Sequence, residues 1–203
     1  MKLNHVYKTF YPDSPKEVKA LTNINLTFEK GEFTTLSGES GSGKTTLLNI
    51  IGGLDSATSG EIFFEGEEIT AYSEEEMAKL RLHNIGFIFQ AYNLIHVLTV
   101  RENIGFIMKL LKFDEKEIEA RTLELASILQ IENLLDKLPG EISGGHQQRV
   151  AVARAVASRP KLILADEPTA NLVSKISERL MSMLRTLNEK ENVTVIFASH
   201  DKY

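Results

Sequence analysis

The stretch of sequence that decides the fold is Gly38-Glu39-Ser40-Gly41-Ser42-Gly43-Lys44-Thr45. A short run rich in β-branched residues, 32–37 (EFTTLS), precedes it, and residues 45–51 (TTLLNII) have the pattern of a helix. A strand, a glycine-rich loop and a helix in this order are the context that a phosphate-binding loop requires. The glycines allow backbone N–H groups to turn toward phosphate oxygens, and the helix adds the positive end of its dipole.

This loop predicts a site for a nucleoside triphosphate with magnesium, and we expect the nucleotide to be ATP. Lys44 is expected to reach the β- and γ-phosphates, and the Thr45 hydroxyl to bind the metal. A chance glycine-rich turn before a helix is the alternative, and the complete match in its strand–helix context argues against it. The other predicted nucleotide-binding residues are Gly38, Glu39, Ser40, Gly41, Ser42, Gly43 and Thr46.

Two adjacent carboxylates follow a second apolar run. Residues 162–165 (LILA) predict a buried strand, which ends in Asp166 and Glu167. Asp166 is placed to hold magnesium or its water, and Glu167 to accept a proton from the attacking water. Taken alone, such a pair is most often a solvated strand end. Because phosphoryl transfer needs a metal, a phosphate cradle and a positioned water together, the phosphate-binding loop favours the catalytic interpretation.

Composition and charge narrow the possible partners. The chain has 203 residues, of which 42% are hydrophobic and 25% charged, as is typical of a soluble globular protein. Its net charge of −5 and the lack of a basic run argue against nucleic-acid binding. There is no cysteine, which excludes disulfides and thiolate metal sites. No stretch approaches the roughly 20 apolar residues that span a bilayer, so we expect membrane association only through a partner.

The order of predicted elements indicates an α/β fold with a phosphate-loop core. Alternating apolar residues before position 30 predict an N-terminal antiparallel β region, and residues 84–90, 161–165 and 192–198 predict further strands. The last two have the buried character of parallel-sheet strands. Two helices are expected within residues 100–130, and another over 143–158 with Ser143 as N-cap. We therefore predict one domain over 1–203, with a nucleotide-binding core (1–90 and 159–203) and an inserted helical lobe near 91–158.

Residues 142–149 (ISGGHQQR) narrow the interpretation to one family. The octet resembles the signature motif of ATP-binding-cassette ATPases, usually written LSGGQ and often followed by QQR. The resemblance extends from Tyr11 to His200, with motifs in the order and spacing of the family. It implies the fold of that family, ATP and Mg²⁺ as cofactors, ATP hydrolysis, and a dimer in which two copies sandwich the nucleotide.

The resemblance also implies roles for individual residues. Tyr11 would stack on adenine, Gln90 would lie near magnesium and the transport partner, and His200 would contact the γ-phosphate. Each has a plainer alternative, as a surface aromatic, a strand cap and a strand-end polar residue. The expected catalytic residues are Glu167, His200 and Gln90; the expected metal ligands are Thr45, Gln90 and Asp166; the residues expected to contact ATP across the dimer are Ser143, Gly144 and Gly145.

Connecting segments look like the lipoprotein-release and macrolide-export branch of the family. These are residues 49–55, 90–95 and 98–103. The branch implies an integral membrane permease as partner, contacted through the region after Gln90, and a cytoplasmic location on the inner face of the membrane. We expect an apolar patch for that contact, with packing of the helical lobe itself as the alternative role. Its members are Tyr92, Leu94, Ile95, Val97 and Leu98.

Three features depart from the family pattern. His146 stands where glutamine is usual, and because histidine still forms hydrogen bonds the expected effect is modest. Val173 stands where an aspartate normally helps to couple the two sites of the dimer, which predicts weaker coupling and slower turnover. The sequence ends at Tyr203, where relatives continue through further strands and a helix, so these elements are expected to be missing.

Three functions are compatible with these motifs to different degrees. The first is the ATP-hydrolysing subunit of a transporter, which powers a permease through ATP-driven dimerisation. The second is an ATP-dependent regulatory or mechanotransmission switch with weak turnover, which Val173 slightly favours. The third, a DNA-repair or chromosome relative, is disfavoured because such proteins carry long coiled-coil or zinc insertions between the two motifs. The transported substrate is chosen by the permease and is not encoded here.

Overall fold

The computed structural model describes residues 1–170, 172 and 174–199, and within these it contains eight strands and six α-helices. The strands are β1 (Lys2–Phe10), β2 (Val18–Thr27), β3 (Phe33–Ser37), β4 (Ser59–Phe64), β5 (Glu67–Glu68), β6 (Ile85–Ile88), β7 (Leu162–Asp166) and β8 (Thr194–Ser199). The helices are α1 (Lys44–Ile51), α2 (Glu74–Asn84), α3 (Val100–Leu110), α4 (Glu115–Leu129), α5 (Gly144–Val156) and α6 (Ser174–Glu191).

The N-terminal strands form an antiparallel sheet in the order β2-β1-β4-β5. Leu3 pairs with Leu26 on one side and with Ile62 on the other, so β1 is the strand between these two neighbours. Leu3 and Val6 turn to the covered face and are almost fully buried. The predicted N-terminal antiparallel β region is confirmed.

The second sheet is parallel, in the order β3-β8-β7-β6. Its two inner strands, β7 and β8, are covered on both faces, and every residue of β8 is buried. A strand buried on both faces has no polar side, which explains the unbroken apolar runs in the sequence. The predicted parallel strands are therefore confirmed.

Helix α1 lies between the two sheets and joins them into one fold. Its buried residues Leu47, Leu48, Ile50 and Ile51 belong to a core that also contains Leu3 of β1 and Ile196 of β8. The opposite face of the parallel sheet packs on α3–α6 in a second core. Side chains of β7 alternate between these two cores, as the two-residue period of a strand requires.

The helical part of the chain agrees with the predicted elements. Two helices occupy residues 100–129, and Ser143 caps α5 by accepting a hydrogen bond from the His146 N–H. These helices share one continuous core with the parallel sheet. The division into a nucleotide-binding core and an inserted lobe stays a prediction.

Helices α2 and α6 were not predicted from the sequence. Helix α2 buries only Met77, so it has no apolar stripe, and its one signal is the capping box formed by Ser73 and Glu76. Helix α6 did carry a signal, because Leu180, Leu184 and Leu187 recur at helical spacing on its buried face. Within the described part of the chain, no helix is both long enough and apolar enough to cross a membrane.

Candidate active site

The predicted site residues follow neighbouring strands at the same edge of the parallel sheet. The pairs Ser37–Ser199, Asp166–Ala198 and Ile88–Ala165 set the register of the four strands. The residues that follow these strands therefore meet at the carboxyl edge of the sheet, where open α/β sheets bind ligands. Gly38, Glu167 and Gln90 lie there. His200, the expected switch histidine, lies outside the described residues.

The glycine-rich loop has the backbone that its sequence predicts. Gly43 has φ of +91°, in the left-handed region, and a Cβ there would lie 2.7 Å from the carbonyl oxygen of Ala20. Only glycine fits this position without strain. The Lys44 ammonium donates to the carbonyls of Gly38, at 2.6 Å, and Glu39, at 2.9 Å. The loop thus encircles the lysine at the N-terminus of α1, where free N–H groups favour phosphate.

Thr45 and Asp166 join the loop to the end of β7. The Thr45 hydroxyl lies 2.9 Å from one carboxylate oxygen of Asp166 and 3.1 Å from the other. Burial raises the pKa of Asp166, and the neighbouring charge of Glu167 acts in the same direction. The hydrogen bond from Thr45 and the charge of Lys44 oppose this shift.

The donor set at this point suits magnesium. A hydroxyl and a half-buried carboxylate are hard oxygen ligands, and Mg²⁺ usually takes only one or two protein ligands beside phosphate oxygens and waters. A divalent cation would also stabilise the charged form of Asp166, which burial disfavours. Among the described residues, no cluster of three or more His, Cys, Asp or Glu offers a denser site.

Glu167 lies beside the phosphate-binding loop. Its φ of +46° is unusual for a residue other than glycine, and its N–H donates to the carbonyl of Ala198 at 3.1 Å. The turn that follows is held from α5, because the buried Gln148 donates to the Pro168 carbonyl at 2.7 Å. The sequence patterns did not indicate this contact of Gln148, although the residue falls inside the signature octet.

A cleft of about 470 Å³ runs from the loop along β2. The loop residues 40–46 and Glu167 line it, together with Val18, Lys19 and Ala20. Phe10 is the one aromatic among the described lining residues, whereas its neighbour Tyr11 is 67% exposed. The Phe10 ring lies 4.8 Å from the Lys8 ammonium, which is itself paired with Asp55. The family resemblance indicated Tyr11 as the residue that stacks on adenine, and this stays a prediction; Phe10, the adjacent aromatic, was not among the predicted residues.

The remaining predicted residues lie around the cleft and do not line it. Gln90 is exposed, two residues beyond the end of β6. Ser143 is also exposed, and its hydroxyl is 2.9 Å from Nδ1 of His146. Gly144 and Gly145 open α5 beside it. Ser143, Gly144 and Gly145 are therefore not among the residues that line the cleft beside the loop of the same chain.

The segment after Gln90 is only partly available for a partner. Val97 is 83% exposed, whereas Leu94 is buried in the core with α3 and α5. Tyr92, Ile95 and Leu98 are half-buried. For Leu94, the alternative role of packing within the helical part is confirmed. The phosphate-binding loop, the carboxylate pair and the sheet topology define a nucleotide-binding protein of the phosphate-loop class.

Comparisons with known proteins identify the family. The family described as ABC transporter matches residues 21–170. Bacitracin export ATP-binding protein BceA of Halalkalibacterium halodurans is 41% identical over 201 residues, which is 99% of this chain and 79% of BceA. Lipoprotein-releasing system ATP-binding protein LolD 1 of Chlorobium chlorochromatii is 38% identical over 203 residues, which is 100% of this chain and 82% of that protein.

A solved structure agrees with these sequence matches. It is the dimeric post-hydrolysis state of the ATP-binding cassette MJ0796 with ADP and Pi, from a protein of Methanocaldococcus jannaschii. The similarity has a TM-score of 0.89 at 41% identity and covers 98% of this chain and 88% of that one. This chain belongs to the ABC transporter family, as an ATP-binding subunit with the ABC ATPase fold.

Proposed function

We propose that two copies of this chain bind ATP between them and hydrolyse it to drive a membrane permease. The observation that carries the proposal is the position of Ser143 and the glycines after it. They are displayed at the start of α5, outside the cleft that the phosphate-binding loop of the same chain lines. A second copy facing the first head to tail would bring its signature residues to this cleft. The related cassette MJ0796 is dimeric with ADP and Pi.

Hydrolysis at such a site follows from the positions of its charged groups. Lys44 and the N-terminus of α1 hold the β- and γ-phosphates, and Ser143 of the second copy donates to the γ-phosphate. Glu167 takes a proton from a water whose oxygen attacks the γ-phosphorus, and the bond to the bridging oxygen breaks to give ADP and phosphate. Thr45, Asp166 and Gln90 would hold magnesium, which when bound supplies positive charge to the phosphate oxygens. His200 is proposed to contact the γ-phosphate.

An exposed apolar residue after Gln90 supports a permease contact there. Val97 is 83% exposed, and Leu98 beside it is half-buried. The names of two relatives refer to bacitracin export and to lipoprotein release, which are both processes at a membrane. We place this chain on the inner face of the membrane, held there by the permease, with the transported substrate chosen by that partner.

The test separates binding from hydrolysis. Glu167→Gln removes the proposed base and keeps the size of the side chain, so ATP with Mg²⁺ should trap a dimer that light scattering after gel filtration detects. Turnover of ATP should fall by on the order of 10²-fold or more. Glu167→Gln combined with Ser143→Ala should dimerise more weakly, and Glu167→Gln combined with Lys44→Ala should remain monomeric. A Glu167→Gln protein that stays monomeric at saturating ATP would contradict the proposal.

The second candidate is a switch that signals through a membrane partner with weak turnover. Valine at position 173 favours it, because valine cannot accept the hydrogen bonds that the aspartate of relatives accepts. The two functions differ in their response to the permease. Turnover that rises when the permease is co-purified supports transport, and ATP-dependent dimerisation with unchanged slow turnover supports the switch.

A further inference from the structure

The backbone after Gln90 adopts an unfavourable conformation at two consecutive positions. Tyr92 has φ of +61° and Asn93 has φ of +49°, so both lie in the left-handed region. Asparagine tolerates this region, but an aromatic residue there is uncommon and persists only when surrounding groups hold it. The turn itself is tight, with the Asn93 N–H donating to the Ala91 carbonyl at 2.6 Å.

Arg154, on α5, holds this turn. Its Nη1 donates to the Asn93 carbonyl at 2.6 Å and its Nη2 donates to the Tyr92 carbonyl at 3.0 Å. The planar guanidinium presents two donors in a fixed fork, which matches two adjacent carbonyls in a way that a lysine ammonium does not. Burial lowers the pKa of Arg154, and arginine remains protonated in proteins despite such shifts.

The side chain of Tyr92 reaches the opposite end of the same helix. A Cβ added to Gly144 would lie 2.9 Å from the Tyr92 hydroxyl oxygen, so the ring is packed against the first turn of α5. Helical side chains lean toward the N-terminus, which allows Arg154 to reach back to the backbone of the same tyrosine. Tyr92 is thus fastened to α5 at both ends, by its ring beside the signature glycines and by its carbonyl at Arg154.

The far end of the segment is fixed to α3. Asn103 is fully buried, and its side-chain amide donates to the carbonyls of Ile95, Leu98 and Thr99 while accepting from the Ile95 N–H. Val97 is exposed between Ile95 and Leu98, the two residues whose carbonyls Asn103 binds. Residues 91–99 therefore form one segment that is held to α5 near its start and to α3 near its end.

We propose that Arg154 is a positioning residue that transmits the state of the signature residues to segment 91–99. The inference rests on the proposed function, in which Ser143 and its neighbours bind ATP held by a second copy. Closure of that contact fixes the first turn of α5, and Arg154 carries the constraint to the backbone that displays Val97. The same link works in reverse, because a partner seated on the segment would move the signature end of α5.

The test measures amide hydrogen exchange of peptides within 91–99. In the Glu167→Gln protein, ATP with Mg²⁺ should slow this exchange by roughly three-fold or more. When Arg154→Gln is added, the segment should exchange at nearly the same rate with and without ATP, while the ATP-induced dimer still forms. Arg154→Lys keeps the charge but not the fork, and should restore part of the effect.

The control variant lies on the same helix. Arg149 also donates to a backbone carbonyl, that of Leu129 at 3.1 Å, and not to segment 91–99. Arg149→Gln should therefore keep the ATP-dependent slowing of exchange. If Arg154→Gln does not fold, Tyr92→Leu provides the second variant, since it removes the ring beside Gly144 and leaves the carbonyls in place. It should also reduce the slowing.

The outcomes distinguish the two proposals. A Glu167→Gln protein that does not dimerise with ATP contradicts the proposed function and this inference together. A dimer whose segment 91–99 exchanges no more slowly than in the monomer overturns the inference alone. The inference alone is also overturned if ATP slows the exchange as much in Arg154→Gln, or in Tyr92→Leu where that variant replaces it, as in the protein without the substitution.

Discussion

The Thr45 hydroxyl and the Asp166 carboxylate are in direct contact, with 2.9 Å between the hydroxyl oxygen and the nearer carboxylate oxygen. They lie 121 positions apart in the chain, one in the first turn of α1 and the other at the end of β7. The contact is possible because α1 packs on the parallel sheet, which places the start of the helix over the end of the strand. Two of the three ligands proposed for magnesium are therefore brought together by the fold itself.

Asp166→Asn should abolish most ATP turnover and leave the fold intact. Asparagine still accepts a hydrogen bond from Thr45 but cannot balance the charge of a metal ion. We expect turnover to fall by on the order of 10²-fold, as when one preorganised charge at a developing transition state is lost. Steady-state phosphate release over a magnesium titration measures this. Thr45→Ser, which keeps the hydroxyl, is the control and should retain most activity; equal losses in both variants would contradict the prediction.

Phe10→Ala should weaken ATP binding more than Tyr11→Ala. Phe10 lines the cleft, and Tyr11 is largely exposed. Stacking of an aromatic ring on a base contributes about 1–3 kcal/mol, so the dissociation constant should rise by roughly 5- to 150-fold for Phe10→Ala. Titration calorimetry in the Glu167→Gln protein measures both variants without hydrolysis. A larger rise in the dissociation constant for Tyr11→Ala than for Phe10→Ala would instead support Tyr11 as the residue that stacks on adenine.

The sequence predicted those parts of the molecule that depend on short, local patterns. It singled out Gly43, Lys44 and the Asp166–Glu167 pair, because backbone geometry and charge restrict which residues fit there. Phe10 was not singled out, because the sequence does not show which of two adjacent aromatics lines the cleft. Arg154 and Asn103 were missed because their partners are backbone carbonyls, and no sequence pattern records which carbonyls a folded loop turns inward.

Gly86→Ala should destabilise the protein through α5. A Cβ on Gly86 would lie 2.2 Å from the carbonyl oxygen of Ala155, and that backbone atom cannot move aside without shifting the helix. We expect a loss of about 1–3 kcal/mol in the free energy of unfolding, measured by urea denaturation. Gly140→Ala is the control, since a methyl group there would meet no heavy atom within 4 Å and its effect should stay under about 0.5 kcal/mol. Similar losses in the two variants would contradict the expected clash with Ala155.

Val173→Asp should raise ATP turnover and strengthen coupling between the two sites of the dimer. The position lies outside the described residues, so the expectation rests on side-chain chemistry: aspartate accepts hydrogen bonds and valine does not. A hydrogen bond to a charged group contributes about 1.5–3 kcal/mol, so the increase in rate should be roughly ten-fold or more. The Hill coefficient of turnover against ATP concentration measures coupling. Val173→Asn provides a neutral acceptor for comparison, and unchanged turnover in Val173→Asp would contradict the prediction.

Glu124 should stabilise the protein at neutral pH and lose that effect in acid. Lys190 and Arg121 donate to its carboxylate, and these hydrogen bonds lower the pKa of Glu124 from 4.5 to about 2. A carboxyl whose pKa is lower in the folded state stabilises that state above its unfolded pKa, and the effect disappears as the pH falls toward the folded pKa. The stabilisation by Glu124 should therefore be lost as the pH falls from about 4.5 to about 2.

The measurement is the difference in free energy of unfolding between the unsubstituted protein and Glu124→Gln. Because the carboxylate is about one-third exposed, solvent screening limits the expected difference at pH 7 to roughly 0.5–1 kcal/mol. Urea unfolding should show this difference shrinking as the pH is lowered below 4.5. Glu75→Gln is the matched control, because Glu75 pairs with Lys79 at an exposed position on α2. A difference for Glu124→Gln that is no larger than for Glu75→Gln, or that does not change with pH, would show that the pairs with Lys190 and Arg121 do not stabilise the fold.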